Sequence, residues 1–446
     1  MVAASVASFM VALDLLVVTT ALDTIRTDLA ASASALQWTV TAYSVSFAAL
    51  LMTGAALGDR FGRRRMLVAG LLTFAVGSAA AALSDSVGQL IAARVVQGVG
   101  GALILPLSLT VVAGAFPPER RGAAIGALEG ITGLAVVAGP VLGGVIAEQF
   151  TWEWVFWINV PIAVLAVPLV WAVVEESHGP DRTLDGIGLV LVTGAAAGVI
   201  WGLVRGNEVG WTGPEVVGTL AGGAALAAGF VAWERRTARP MLPLRFFRSR
   251  MFSVGATAAF LLAASLYGSV FFMAQFMQVS LGEDSLGAGL RLLPWTGTLF
   301  VTAPLAGLLA DRIGHRPVLA GGLFLQAVGL AWLALVADAG LSYTTMVAPL
   351  VVTGIGTSAG LPVSQAAIVG SVAEAEVGKA AGSNNMLQEL GGAFGIAAAV
   401  ALFTSAGGYG SPGDFADGFG AALWGSAGLA AVGFATSLGL PRRSAR

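Results

Sequence analysis

Runs of about twenty apolar residues recur along this chain from one end to the other, and they constrain its fold more than any other feature. A helix rises about 1.5 Å per residue, so each run is long enough to cross a hydrocarbon layer of about 30 Å. Inside such a layer every backbone N–H and C=O must be satisfied within the protein, which leaves helices or a closed barrel. Barrel strands would read as short segments of alternating polarity, whereas these runs are continuous. The charged fraction agrees: 11% of the residues are Asp, Glu, Lys or Arg, against about 25% in soluble domains. The chain reads as an all-α polytopic membrane protein. Fourteen spans are expected, over residues 2–22, 39–58, 66–84, 88–115, 122–147, 154–174, 186–204, 215–233, 252–276, 288–310, 317–337, 344–370, 379–404 and 418–438. The first run holds Asp14 and has no basic segment before it, so no cleavable signal peptide is expected.

Basic residues set the expected orientation. With both termini in the cytoplasm, the loops on that side hold Arg60, Arg63, Arg64, Arg65, Arg120, Arg121, the basic stretch from Arg235 to Arg250, Arg312 and Arg316. The opposite loops hold Arg26 and Arg205 among many acids, including Asp28, Glu148, Glu208 and Asp338. Lys379 is the only lysine. That bias, with abundant Ala, Gly and Val, suggests a GC-rich bacterial source and hence a bacterial cytoplasmic membrane.

The chain also repeats itself. "AALGDRFGRRRML" follows the second span and "GLLADRIGHRPVL" follows the tenth. Two plain six-span halves would put the copies six spans apart; they lie eight apart. Two spans are therefore inserted between the halves. The expected organisation is an N-terminal six-helix bundle over 1–174, an inserted pair over 175–234 and a C-terminal six-helix bundle over 235–446. Repeated halves that rock about a central site are the architecture of many secondary transporters.

Ionisable residues inside apolar spans are expensive and mark candidate sites. Asp14 lies mid-span in "FMVALDLLVVTTAL", and Arg94 lies more than a turn inside "LIAARVVQGVGGALILP" with Gln97 on the same helical face. Glu129 sits in "GALEGITGLAVVAGPVLGG", and Glu389 in "GSNNMLQELGGAFGIA" after Asn384, Asn385 and Gln388. A buried carboxyl can hold a proton or a cationic substrate in alternation, because burial and a nearby cation push its ionisation in opposite directions. The structural alternative for each acid is a fixed ion pair, with Arg94 as a possible partner of Glu129; for Arg94 it is snorkelling to the interface. Tyr267, Phe271, Gln275, Gln278, Gln97, Asn384, Asn385 and Gln388, with Phe9, Phe272 and Trp295, could line a greasy cavity with a few hydrogen-bonding points. For any one aromatic the alternative is an interfacial belt.

The duplicated loops carry Asp59, Arg60, Gly62, Arg63 and Arg64 in one copy and Asp311 and Arg312 in the other. Glycine permits a sharp turn. The aspartate can meet the N-terminus of a neighbouring helix or pair with arginine, so these loops read as cytoplasmic latches rather than positive-inside anchors alone. Gly126, Gly130 and Gly133 offer a face for close helix approach. Gly139 and Pro140 are expected to break or kink that helix, with Gly143 and Gly144 packing tightly beyond.

Several chemistries are excluded. A net charge of −2 gives no reason to expect nucleic acid, and the absence of cysteine removes disulfides and thiolate metal sites. The one lysine stands in Gly-Lys-Ala, which is no Walker A loop. The two histidines, His178 and His315, fall in loops, so no intramembrane histidine-metal or Ser-His site is available. No enzymatic activity and no metal or organic cofactor are expected.

These motifs together resemble a known family. "GDRFGRRR", "LIAARVVQGVGGA", "GPVLGG" and "FWINVPI" resemble the major facilitator superfamily, in particular its fourteen-span drug:proton antiporter branch. "PMLPLRFFRSRMF", "LRLLPW" and "NNMLQELGGAFG" look like the same branch. The resemblance implies a major facilitator fold, no enzyme, and proton-driven efflux of small amphiphilic compounds, cations among them, by alternating access. It implies protons as the coupling ion, Asp14 as a protonation site, Arg94 in the proton relay, and Asp59 and Arg60 in the latch. A monomer in the lipid bilayer is expected. The first span departs from the branch: Leu16, Thr19 and Asp23 stand where Thr, Asn and Pro are usual, and Glu129 is not a general family residue. Two other readings remain at this stage: export of a lipid or endogenous metabolite by the same fold, and a membrane receptor that transports nothing.

Overall fold

The structure is a computed structural model that describes residues 1–31, 33–179, 185–238, 240–283, 285–338 and 340–441. The N-terminal part folds as α1 (Val2–Asp28), α2 (Ala33–Phe61), α3 (Arg63–Ala82), α4 (Val87–Ala115), α5 (Pro118–Gln149), α6 (Trp154–Trp157) and α7 (Asn159–Val173). Next come α8 (Gly186–Val209) and α9 (Pro214–Glu234). The rest forms α10 (Arg250–Val279), α11 (Ser285–Arg291), α12 (Leu293–Thr296), α13 (Thr298–Ile313), α14 (His315–Val336), α15 (Tyr343–Val369), α16 (Val377–Ala406) and α17 (Pro412–Ser437). Among the described residues there are no strands.

Twelve helical stretches among the described residues are long and apolar enough to cross a membrane. The expectation of fourteen goes two beyond this. The difference falls on α1 and α5, 27 and 32 residues long, each with some side chains outside the described set. Helices overrun the apolar runs: α2 covers 33–61 where 39–58 was expected. Backbone hydrogen bonding continues into the headgroup layer, where polar side chains end the apolar signal but not the helix. Two expected spans are built in pieces. One joins α6 to α7 at Ile158, and one joins α12 to α13 at Gly297, with Pro294 in the first turn of α12.

Small residues bring the parts together. A methyl group on Gly126 would lie 2.5 Å from the carbonyl oxygen of Ala303, and one on Gly133 would lie 2.6 Å from the Leu299 side chain, so α5 packs directly on α13. On the other side of the molecule Gly382 of α16 meets Ala55 of α2. α8 packs on α9 and also touches α2 and α16, while α9 is only 17% buried over its apolar window and faces outward.

Candidate functional site

Asp14 and Arg94 form an ion pair, 2.5 Å between Oδ2 and Nη1, with both side chains fully buried. Arg94 Nη1 also donates to Gln97 Oε1 at 2.8 Å, and Nε donates to the Thr39 carbonyl at 3.0 Å. The other carboxylate oxygen of Asp14 accepts from Gln97 Nε2 at 3.0 Å and from Asn159 Nδ2 at 2.7 Å. Gln97 Nε2 reaches Ser78 Oγ at 2.7 Å. The Tyr43 ring lies against the guanidinium, 4.3 Å from Cζ to its centroid, a cation–π arrangement. Five membrane helices thus converge on one salt bridge. Sequence singled out Asp14, Arg94 and Gln97 but not Asn159, Ser78, Thr39 or Tyr43. Asn159 was visible within "FWINVPI", at the first residue of α7. Gln97 does not line the cavity as expected. It shares the face of Arg94 that α4 turns toward α1 and α3.

Beside this network is a cavity of about 170 Å³, walled by α1, α2, α4, α5, α10, α15 and α16. Glu129 and Glu389 both line it, with Tyr267, Asn385 and Gln388. Glu129 Oε1 accepts from Gln365 Nε2 of α15 at 3.0 Å. Glu129 does not pair with Arg94, which turns instead toward Asp14. Gln365 was not singled out from the sequence, because a lone glutamine in a small-residue span carries no distinctive pattern. Tyr43 also lines the cavity, so one ring touches both the salt bridge and the cavity.

Seven other expected lining residues lie elsewhere. Gln275 is two helical turns beyond Tyr267 on α10, about 12 Å along the axis, and its Oε1 accepts from the Tyr409 hydroxyl. Phe271 and Gln278 are exposed and outside the cavity wall. Asn384 is buried and outside the cavity wall, although it lies one turn from Gln388 on α16. Phe272 stacks on Phe403 with centroids 4.6 Å apart, Trp295 is core, and Phe9 packs on the cluster around Leu13 and Val17.

The duplicated loops form two matching contacts. Asp59 is buried, and its Oδ1 accepts from Arg63 Nε at 3.1 Å and Nη2 at 2.9 Å. The same carboxylate abuts Gly378 in the first turn of α16, where a methyl would lie 2.5 Å from Oδ1. In the second copy Asp311 Oδ2 accepts from the Ala123 amide at 3.3 Å, and a methyl on Gly122 would lie 2.5 Å from Oδ1. Gly122 and Ala123 belong to the first turns of α5. Each aspartate therefore meets the N-terminal end of a helix from the opposite part of the chain, where unpaired amides and the helix dipole favour an anion. Gly62 and Gly314 take φ of 106° and 95°, the region that favours glycine. Arg64 lies over Trp171 at 4.6 Å, and its amide donates to Glu176 Oε1 at 3.0 Å. Arg60 lies over Phe61 and Arg312 is exposed in the last turn of α13.

α5 continues without a break through the segment expected to kink. Gly139 and Gly143 sit within one uninterrupted helix; the side chains of Pro140 and Gly144 lie outside the described residues. Proline removes a single N–H, and the neighbouring i to i−4 bonds carry a membrane helix through it.

Comparison with known proteins bears on this geometry. The family model of the Major Facilitator Superfamily matches residues 4–290 and 255–446. A tetracenomycin C resistance and export protein of Streptomyces glaucescens is 36% identical over 409 residues, covering 91% of this chain and 76% of the relative. A lincomycin resistance protein of Streptomyces lincolnensis is 35% identical over 405 residues, covering 89% and 82%. The multidrug resistance protein Stp of Mycobacterium tuberculosis is 33% identical over 335 residues, covering 75% of this chain, which spans 62% of that relative's length. Among solved structures, the proton:xylose symporter XylE aligns over 97% of this chain and 93% of its own, with a TM-score of 0.68 at 15% identity. At that identity the likeness speaks for the fold alone.

Proposed function

We propose an efflux function from one premise: this chain belongs to the major facilitator superfamily. It exports small amphiphilic molecules, drugs or antibiotics among them, in exchange for protons and by alternating access. The names of its relatives, which concern tetracenomycin C export, lincomycin resistance and multidrug resistance, support this substrate class. The reading sets the protein in a bacterial cytoplasmic membrane, as a monomer with both termini in the cytoplasm.

The observation that carries the proposal is the pair of carboxylates, Glu129 and Glu389, facing one cavity from opposite parts of the chain. Gln365 Oε1 and Gln388 Nε2, also at that cavity, are buried with no hydrogen-bond partner among the described residues. They offer a substrate one acceptor and one donor. At about 170 Å³ the cavity is below the roughly 300 Å³ at which drug-sized sites begin. Substrate entry therefore requires the two parts to separate. The Glu129–Gln365 hydrogen bond crosses between them, so a proton or a substrate group that takes Glu129 competes with a contact that holds them together. A proton on Asp14 would likewise remove the ionic partner of Arg94, and the Tyr43 ring carries that change to the cavity wall.

A proton crossing 100 mV supplies about 2.3 kcal/mol, enough for roughly a 50-fold gradient of a neutral substrate. The test is uptake of a lipophilic cationic dye into inverted vesicles energised by a pH gradient, with Glu129→Gln and Asp14→Asn beside the native protein. Accumulation by the native protein, lost in both variants, supports the proposal. A native protein that moves no dye, yet exports a neutral lipid or metabolite, sinks the amphiphilic-drug reading.

A further inference from the structure

We propose that the groove between the Glu234 end of α9, the linker that follows it and the first turn of α16 binds the phosphodiester head of an anionic phospholipid. The groove encloses about 1350 Å³. Three membrane-crossing stretches, Pro214–Glu234, Arg250–Val279 and Val377–Ala406, have their ends here, so it lies at headgroup depth. Among the described residues, four cations line it, Arg235, Arg245, Arg248 and Lys379, against two carboxylates, Glu234 and Glu376.

Both carboxylates are already engaged. Glu234 is buried and its two oxygens accept from the amides of Met241 and Leu242, each at 3.2 Å. Glu376 pairs with Arg245. Lys379 Nζ donates to the Pro240 carbonyl at 2.7 Å, and an ammonium has two further hydrogens to give. Arg235 and Arg248 are exposed and form no ion pair among the described residues. The cationic side of the groove thus has donors to spare and the anionic side does not.

The rest of the wall is apolar, with Val231 and Phe247 both exposed. α9 faces outward along most of its length, so an acyl chain can lie against it while the head enters the groove. A soluble anion would use only the cations; a lipid uses both walls. Arginine beside a phosphate makes strong charge-assisted bonds, and polybasic segments next to membrane spans attract anionic leaflets. Lys379 and Glu376 flank Gly378, against which Asp59 sits, so an occupied groove adjoins the contact that joins α2 to α16.

The experiment is native mass spectrometry of the full chain, released from nanodiscs, with phosphatidylglycerol or phosphatidylcholine titrated in. The variants are Arg235→Gln/Arg248→Gln and, as a control away from the groove, Arg316→Gln. Native protein should retain phosphatidylglycerol over phosphatidylcholine. The double variant should weaken that retention roughly 10- to 30-fold, with an unchanged melting temperature, and Arg316→Gln should leave it alone. Equal retention by the double variant, or equal losses from the control, overturns the proposal. So does displacement of the lipid by soluble glycerol phosphate at millimolar concentration, which would make the groove a site for free phosphate.

Discussion

The amide of Gln365 on α15 donates to the carboxylate of Glu129 on α5 across 3.0 Å, linking parts of the chain that are 236 residues apart. Glu129 lines the central cavity together with Glu389, so this bond lies at the site proposed for substrate.

If the pair acts as a unit, disrupting either member should have the same consequence. Glu129→Gln and Gln365→Ala should each slow pH-driven dye uptake by about tenfold or more, the scale of a charge-assisted hydrogen bond of about 1.5–3 kcal/mol. The double variant should be no slower than the worse single variant. Losses that multiply would show that the residues act separately.

Arg94 is buried with Asp14, and removing one member of a buried pair leaves the other uncompensated. Arg94→Gln should destabilise the protein by about 3–5 kcal/mol, and combining it with Asp14→Asn should recover much of that loss. Thermal unfolding in one detergent, followed by intrinsic fluorescence, reads both. A double variant less stable than Arg94→Gln alone would contradict the account.

The contact of Asp59 with Gly378, and that of Asp311 with Gly122, each leave no room for a β-carbon. Gly378→Val and Gly122→Val should open the end of the molecule where these loops lie. The chain has no cysteine, so Ala381→Cys, at a buried position of α16, provides a single reporter. Its labelling by a polar maleimide should accelerate severalfold in either valine background. An unchanged rate would mean that these contacts do not close that end.

Gly62 and Gly314 adopt positive φ. Gly62→Ala and Gly314→Ala should each cost about 1–3 kcal/mol. At Gly62 the new methyl would also meet the Glu176 carboxylate at 2.6 Å, the movable end of a long side chain, so backbone strain sets the cost. Melting temperatures of the two variants, each compared with the native protein, test this.

Much of the site was legible because a charge inside a membrane is costly enough to need a reason. Asp14, Arg94, Glu129 and Glu389 stand out in apolar runs on that ground alone. Their partners do not. Asn159, Ser78, Tyr43 and Gln365 are neutral residues common in any helix, and only the approach of separate helices makes them ligands of a charge. The same limit explains why Gln275 and Gln278 were expected at the cavity. They share a helix with Tyr267, but height along that helix relative to the cavity is not written in any local pattern.

Sequence by itself determined the fold class, because apolar runs long enough for a bilayer admit few solutions, and it determined the duplication, because Asp59 and Asp311 stand in matching loops. Tertiary structure alone decided the pairings: Asp14 with Arg94, Glu129 with Gln365, each loop aspartate with a helix of the opposite part. Burial and periodicity are properties of one segment, and a sequence displays them directly. A hydrogen bond between segments depends on the relative height and rotation of two helices, which close packing of many small residues sets collectively.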